Sequence, residues 1–305
     1  MLRPLFSSFV IALCLPWGAL ADASADFIKA PTRLHAEPAA RFLLPLAGDY
    51  AQFRYTPGSL DRAANLQSRL ELLMRMLERW TDQRGAITVN VISREEWEET
   101  GYSVEYGIPV RVGRTALAVP ALGDDGTVQL WSRVLDGLLP QVQGSPIRGT
   151  PQHASTMVLA DIVAQLLAAE IHVDAIGLAG DKNWTRGLVT HVTSVYFVKR
   201  KEGARLRDLD AMYQTMVARR GGPEMSVRDY DPDLDFRDWL WFQAKFHVGA
   251  QVIIEDEGKG TLKRLGKLRK KDDGVLRGER LLREFEGLEE WYQDSFSAVS
   301  LRVDR

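Results

Sequence analysis

Asp161 and Gln165 are the side chains whose spacing comes nearest to that of a reaction centre. Residues i and i+4 share one face of a helix, which is how a helix brings two histidines to one zinc ion. Zinc takes imidazole, thiolate or carboxylate ligands at about 2.0–2.3 Å. Gln165 is a neutral amide and a poor ligand, so this pair is not expected to hold a metal. The five histidines, His35, His153, His172, His191 and His247, offer no substitute, because none lies four from another. His172 near a helix end and His247 on an apolar helix read as packing or surface residues, and His191 as a partly buried residue. Nucleophilic chemistry has no signature either, since the chain contains no Gly-x-Ser-x-Gly and no Ser-x-x-Lys.

The N-terminus sets the compartment. Met1 to about Ala21 reads as a secretory signal peptide: Arg3 supplies the positive start and Phe6 to Leu15 a short apolar run. Pro16 and Gly18 then break the run, and Ala19-Leu20-Ala21 fits a small-x-small cleavage site, with cleavage after Ala25 as the alternative. The single cysteine, Cys14, lies inside this segment with Leu13 before it, where a lipoprotein signal would place a small residue. The mature chain is therefore expected to be periplasmic or secreted, and free of disulfides, thiolate ligands and lipid anchor. No later apolar stretch is expected to cross a membrane. A formal net charge of −2 points to no polyanionic partner. The basic run Lys259, Lys263, Arg264, Lys267, Arg269, Lys270, Lys271 has no interleaved aromatics to stack bases, so nucleic acid is not expected. It reads as a solvated helix face, with an anionic envelope component as the alternative.

The elements that position these residues follow from periodicity. Residues 22–40 are polar and proline-dotted, a loose arm. Asp49–Tyr55 alternates aromatic and polar residues as a half-buried strand does, and Thr56–Ser59 turns the chain. Leu60–Asp82 is a long helix with Leu66, Leu70, Leu73, Met74, Leu77 and Trp80 on one stripe. Ile87–Ile92, Ile108–Val112, Thr115–Val119 and Val128–Trp131 read as strands separated by glycine turns. Gly144–Gln152 reads as a loop. Two helices follow, at about His153–Ile171 and Trp184–Lys199, and then a charged connector, Lys199–Arg207. From Leu206 onward the pattern is helical, with segments at 236–255, 261–268, 276–285 and 288–299. The expected fold is α+β: a mixed or antiparallel sheet with a long packed helix over residues 41–152, then a mainly helical region over 153–305.

The two central helices carry a resemblance. Asp161-Ile162-Val163-Ala164-Gln165 stands where a gluzincin metallopeptidase has His-Glu-x-x-His, and Asn183-Trp184-Thr185-Arg186-Gly187-Leu188-Val189 resembles its "W..EG.A.Y" phrase. Residues 246–265 and 281–298 are similar to the family's later helical phrases. The chain thus resembles the peptidase MA-like superfamily over about residues 45–300, as a degenerate member. Carried over, Asp161 and Gln165 take the first two ligand positions, Ile162 the general base and Arg186 the third ligand. Ile162 cannot accept a proton, and Arg186 is a permanent cation that would repel a metal. The resemblance therefore implies no catalytic residue, no metal and no cofactor. In the resembled fold these positions converge, so Asp161 and Arg186 are expected to form an ion pair with Gln165 alongside. The function so implied is an inactive binding or scaffold module for a protein or peptide ligand, with Trp184 and His191 as groove-lining candidates. The alternatives are an active zinc peptidase with unrecognised ligands, or an unrelated secreted α+β binding protein.

Overall fold

The computed structural model describes residues 33–34, 42–102, 104–135, 151–176, 180–219 and 226–294. The leader with Cys14, residues 144–150 of the expected loop, and residues 295–299 of the last expected helix lie outside them, while Pro151 and Gln152 of that loop are helical. The architecture is α+β, as expected: a mixed sheet built from the N-terminal part and a C-terminal part dominated by helices.

The strands are β1 (Arg33–Leu34), β2 (Leu44–Leu46), β3 (Ala51–Tyr55), β4 (Ile87–Ile92), β5 (Val110–Val112) and β6 (Ala116–Pro120), in sheet order β1-β5-β6-β4-β3-β2. β4 pairs in parallel with β3 and β6, and β5 turns back antiparallel on β6. Only Arg33–Leu34 of the expected arm is described, and it forms the edge strand parallel to β5. Phe53 of β3 is buried while Gln52 and Arg54 are exposed, so this strand has one face on the core and one toward water. Central β6 is buried at all five positions, which requires cover on both faces.

α1 (Leu60–Thr81) packs against β3 and α4 (Pro151–Ala175) against β4, β5 and β6, and the two helices touch each other. α1 buries Leu66, Leu70, Leu73, Met74 and Leu77 of the stripe read from the sequence, and Trp80, its last member, is partly buried. Two short helices flank the sheet, α2 (Arg94–Thr100) and α3 (Asp125–Val134). Val128–Trp131 is helix, not strand. Asp124 accepts from the Thr127 amide while the Thr127 hydroxyl caps Asp124, so a capping box starts α3 there.

The helical part comprises α5 (Asn183–Lys201), α6 (Gly203–Arg219), α7 (Phe236–Glu257), α8 (Thr261–Lys271), α9 (Gly278–Glu284) and α10 (Leu288–Asp294). The expected charged connector does not exist as such, because α5 runs to Lys201 and α6 begins at Gly203. α5 and α7 pack closely. A side chain at Gly187 would overlap the Phe246 ring, and one at Gly249 would come 2.6 Å from Trp291. The glycine of the Trp184–Gly187 phrase thus has a packing reason of its own.

α4 joins the two parts. It touches the sheet, α1, α3, α5 and α6, and one continuous core runs from Ala51 to Tyr292. Contrary to expectation, its span His153–Ala175 is long and apolar enough to cross a membrane. The apolar window of that span is wholly buried inside the protein, so α4 is a core helix of the fold.

Candidate functional site

Two charge clusters sit on α4. The first surrounds Asp161, which is 4% exposed. Arg62 and Arg69, seven apart and so on one face of α1, both reach it: Arg62 forms a close ion pair and Arg69 Nη1 lies 3.3 Å away. Arg205 of α6 approaches to 3.5 Å. Burial pushes the Asp161 carboxyl up, but the three guanidiniums outweigh it and hold the group below the usual carboxylate range. Gln165 is tied into the same cluster. It accepts from Arg69 Nε at 3.2 Å and donates to Ser194 Oγ at 2.8 Å. Arg69 Nη2 also lies 2.8 Å from a Glu202 carboxylate oxygen, without hydrogen-bond alignment.

The second cluster is further along α4. Glu170 and Asp174, themselves i,i+4, meet Arg111 from β5 and Arg186 from α5. Arg111 Nη1 is 2.9 Å from Glu170 and 2.5 Å from Asp174. Arg186 Nη2 is 3.3 Å from Glu170, and its Nε is 2.9 Å from Asp174. Two cations and two carboxylates close into a balanced quartet.

The expected Asp161–Arg186 ion pair therefore does not form. The register of the helical hairpin explains why. α4 continues to Ala175 before the chain turns back, so Gln165 faces Ser194 and Arg186 faces Glu170 and Asp174. Asp161 is nine residues before Glu170, about 13.5 Å away along the axis at 1.5 Å per residue. Asp161 and Gln165 do share a cluster, and Arg186 belongs to the other. Ile162, at the general-base position of the resemblance, is a buried core residue.

The two groove candidates also part company. Trp184 packs against the Tyr292 ring at 4.9 Å and lines a cleft of about 650 Å³ with Lys182, Arg228, Glu279, Arg283 and Glu289. Its walls carry both signs of charge around an aromatic base. His191 is fully buried rather than partly so, and lies away from that cleft. Its Nε2 is 3.4 Å from His247 Nδ1, and its Nδ1 is 3.4 Å from the Gln243 side-chain oxygen. His247 Nε2 donates to Asp210 at 2.7 Å, so this polar chain runs from the core to a partly exposed carboxylate. Burial, then the neighbouring His247, push His191 well below its ordinary value. His247, read as packing or surface, is a buried member of this chain.

Sequence reasoning missed Arg62, Arg69, Arg111, Glu170 and Asp174. The i,i+7 spacing of the α1 arginines and the i,i+4 spacing of Glu170 and Asp174 were the available signals. Among the described residues no three His, Cys, Asp or Glu side chains group so as to hold a metal ion. No protein-family model, curated protein or solved structure matches the chain.

Proposed function

We propose that this chain is a catalytically inactive, metallopeptidase-like binding module of the periplasm or exterior, taking a protein or peptide ligand in the cleft beside Trp184. The observation that carries the reading is the cleft beside Trp184, a residue of the resembled phrase. The quartet lies outside the resembled ligand positions: Glu170 and Asp174, not Asp161 and Gln165, meet Arg186 from the next helix. Two arginines already balance the two carboxylates of the quartet, which leaves no net negative charge there to attract a dication. The cleft supplies the binding surface, since about 650 Å³ suits a few residues of peptide and both charge signs suit a peptide's charged side chains and termini.

Elemental analysis of dialysed protein is expected to find far less than one zinc per chain, and about one zinc per chain would sink the reading. Casein cleavage is expected at buffer level, and chelator-sensitive cleavage by clean protein would overturn it. Fluorescence polarisation against a peptide library is expected to find binders that R283A/E289A weakens, as both side chains are exposed on the cleft wall. N-terminal sequencing of exported protein is expected to begin at residue 22.

A second reading, an α+β binding protein unrelated to metallopeptidases, is favoured by the distance of Asp161 and Gln165 from Arg186. The variant R111L/E170H/D174H/R186E separates the two. A metallopeptidase-type frame should then take up about one zinc per chain, and an unrelated hairpin should not.

A further inference from the structure

We propose that the outer face of α8 is an electrostatic docking surface for an anionic phospholipid membrane. α8 has two kinds of cation. Its arginines are partnered: Arg264 pairs with Glu284 at 2.9 Å and Glu257 at 3.3 Å, and Arg269 donates to the Gly274 and Ile176 carbonyls at 2.9 and 3.0 Å. Its lysines differ. Lys263, Lys267, Lys270 and Lys271 are exposed, none has a carboxylate of the described residues within ion-pair distance, and Lys259 extends the row before the helix.

Helix physics does not account for that row. Lysines at i and i+4 repel one another. The macrodipole welcomes cations in the last turn, which suits Lys270 and Lys271, but opposes them in the first, where Lys263 stands. α8 itself contains no acidic residue to relieve the row, although the whole chain has a formal charge of −2. The basic surface also continues beyond α8. The Tyr196 hydroxyl donates to the Lys259 carbonyl at 3.2 Å, which sets the end of α5, with exposed Lys199, Arg200 and Lys201, beside the row.

The chemistry of the row selects the partner. Lysine ammonium groups about 6 Å apart along a convex helix are point charges without the forked geometry that reads a particular phosphate. Leu262, Leu265 and Leu268 are buried in the fold, so this helix has no free apolar face to insert into lipid. No aromatic side chain lies within α8 to stack a base. A plane of anionic headgroups satisfies such a row without insertion or readout, and the attachment is peripheral and salt-sensitive.

The test is co-sedimentation of the purified protein with vesicles of phosphatidylcholine alone or with about one third phosphatidylglycerol. Binding is expected only to the anionic vesicles in low salt and is lost at high salt. K263E/K267E should weaken it by at least about 30-fold, at roughly fivefold per lysine. R54E/R114E, which makes the same charge change on the exposed sheet side, should change it by less than about threefold. Circular dichroism verifies that both variants are folded. No anionic-vesicle binding, equal binding to neutral vesicles, or equal loss in the two variants would overturn the proposal. So would displacement from vesicles by duplex DNA at matched phosphate concentration, which would assign the row to nucleic acid.

Discussion

The two charge clusters of α4 solve the problem of a buried carboxylate in opposite ways. Around Glu170 and Asp174, charges match two to two, and each carboxylate meets both arginines. Around Asp161, three arginines converge on one carboxylate, and Arg69 alone reaches a second, Glu202. Arg62 Nε and Arg205 Nη1 are buried there without hydrogen-bond partners, and both arginines have their ion pair with Asp161. Loss of Arg186 leaves Arg111 on both quartet carboxylates, whereas loss of Asp161 leaves Arg62 and Arg205 without their anion.

Removing that anion should have the largest effect. Asp161→Ala leaves cations crowded in the core and is expected to cost about 3–5 kcal/mol, or roughly 10 °C in melting temperature by scanning calorimetry. A loss under about 1 kcal/mol would mean that water already screens the three arginines and that the contrast is false.

Acid titration separates α4 into two windows. His172 is packed against Gly85 with neither ring nitrogen partnered, and burial pulls it down to about 4. An unfolded histidine takes a proton near pH 6.5, so falling pH favours the unfolded chain first. Stability should drop by about 3 kcal/mol between pH 6.5 and 4, and His172→Leu should flatten that limb in denaturant melts. The Asp161 contribution has the opposite origin. Its folded value is depressed, so it persists above the unfolded value and is lost only at lower pH, as the folded group takes up its proton. A limb that His172→Leu leaves unchanged would assign the acid sensitivity elsewhere.

The balanced quartet should respond more mildly. Arg186→Met leaves Arg111 on both carboxylates and is expected to cost about 1–3 kcal/mol. Asp174→Leu combined with Arg186→Met should cost less than the sum of the two single changes, with a coupling of about 0.5–3 kcal/mol in urea unfolding. Strict additivity would show that Arg186 and Asp174 do not act as a pair. The smallest effect sets the scale: Arg133→Ala breaks the exposed 2.6 Å pair with Glu105 and should change stability by less than about 0.5 kcal/mol.

What was legible in the sequence follows the same division between local and distant causes. The α1 stripe, β3, β4 and the helices from Phe236 onward were legible because period 2 and period 3.6 are written in adjacent residues. α2 carried its signal too, since Ser93 caps the Glu96 amide in a Ser-x-x-Glu phrase that went unread. α3 was misread because Val128–Trp131 has strand-like composition, and its start is set by Asp124 and Thr127 outside that window. The site was less legible. Asp161 and Gln165 do act together, as their spacing implied. Which residue Arg186 meets depends on where α4 ends and α5 begins, and nothing in either helix states that register. Arg111 reaches Glu170 across 59 residues and Arg62 reaches Asp161 across 99, distances that no local pattern encodes.

α4 poses one further problem, which arises before the chain is folded. To an insertion machinery, a stretch as apolar as His153–Ala175 resembles a stop-transfer signal, and a chain in transit would risk being left in the bilayer. Asp161, Glu170 and Asp174 bear on that risk. An Asp at mid-membrane costs about 2.5–3.5 kcal/mol on insertion scales, and Asp161 lies near the middle of the stretch. On that scale the carboxylates that bind five arginines in the folded core also raise the cost of placing this segment in a bilayer.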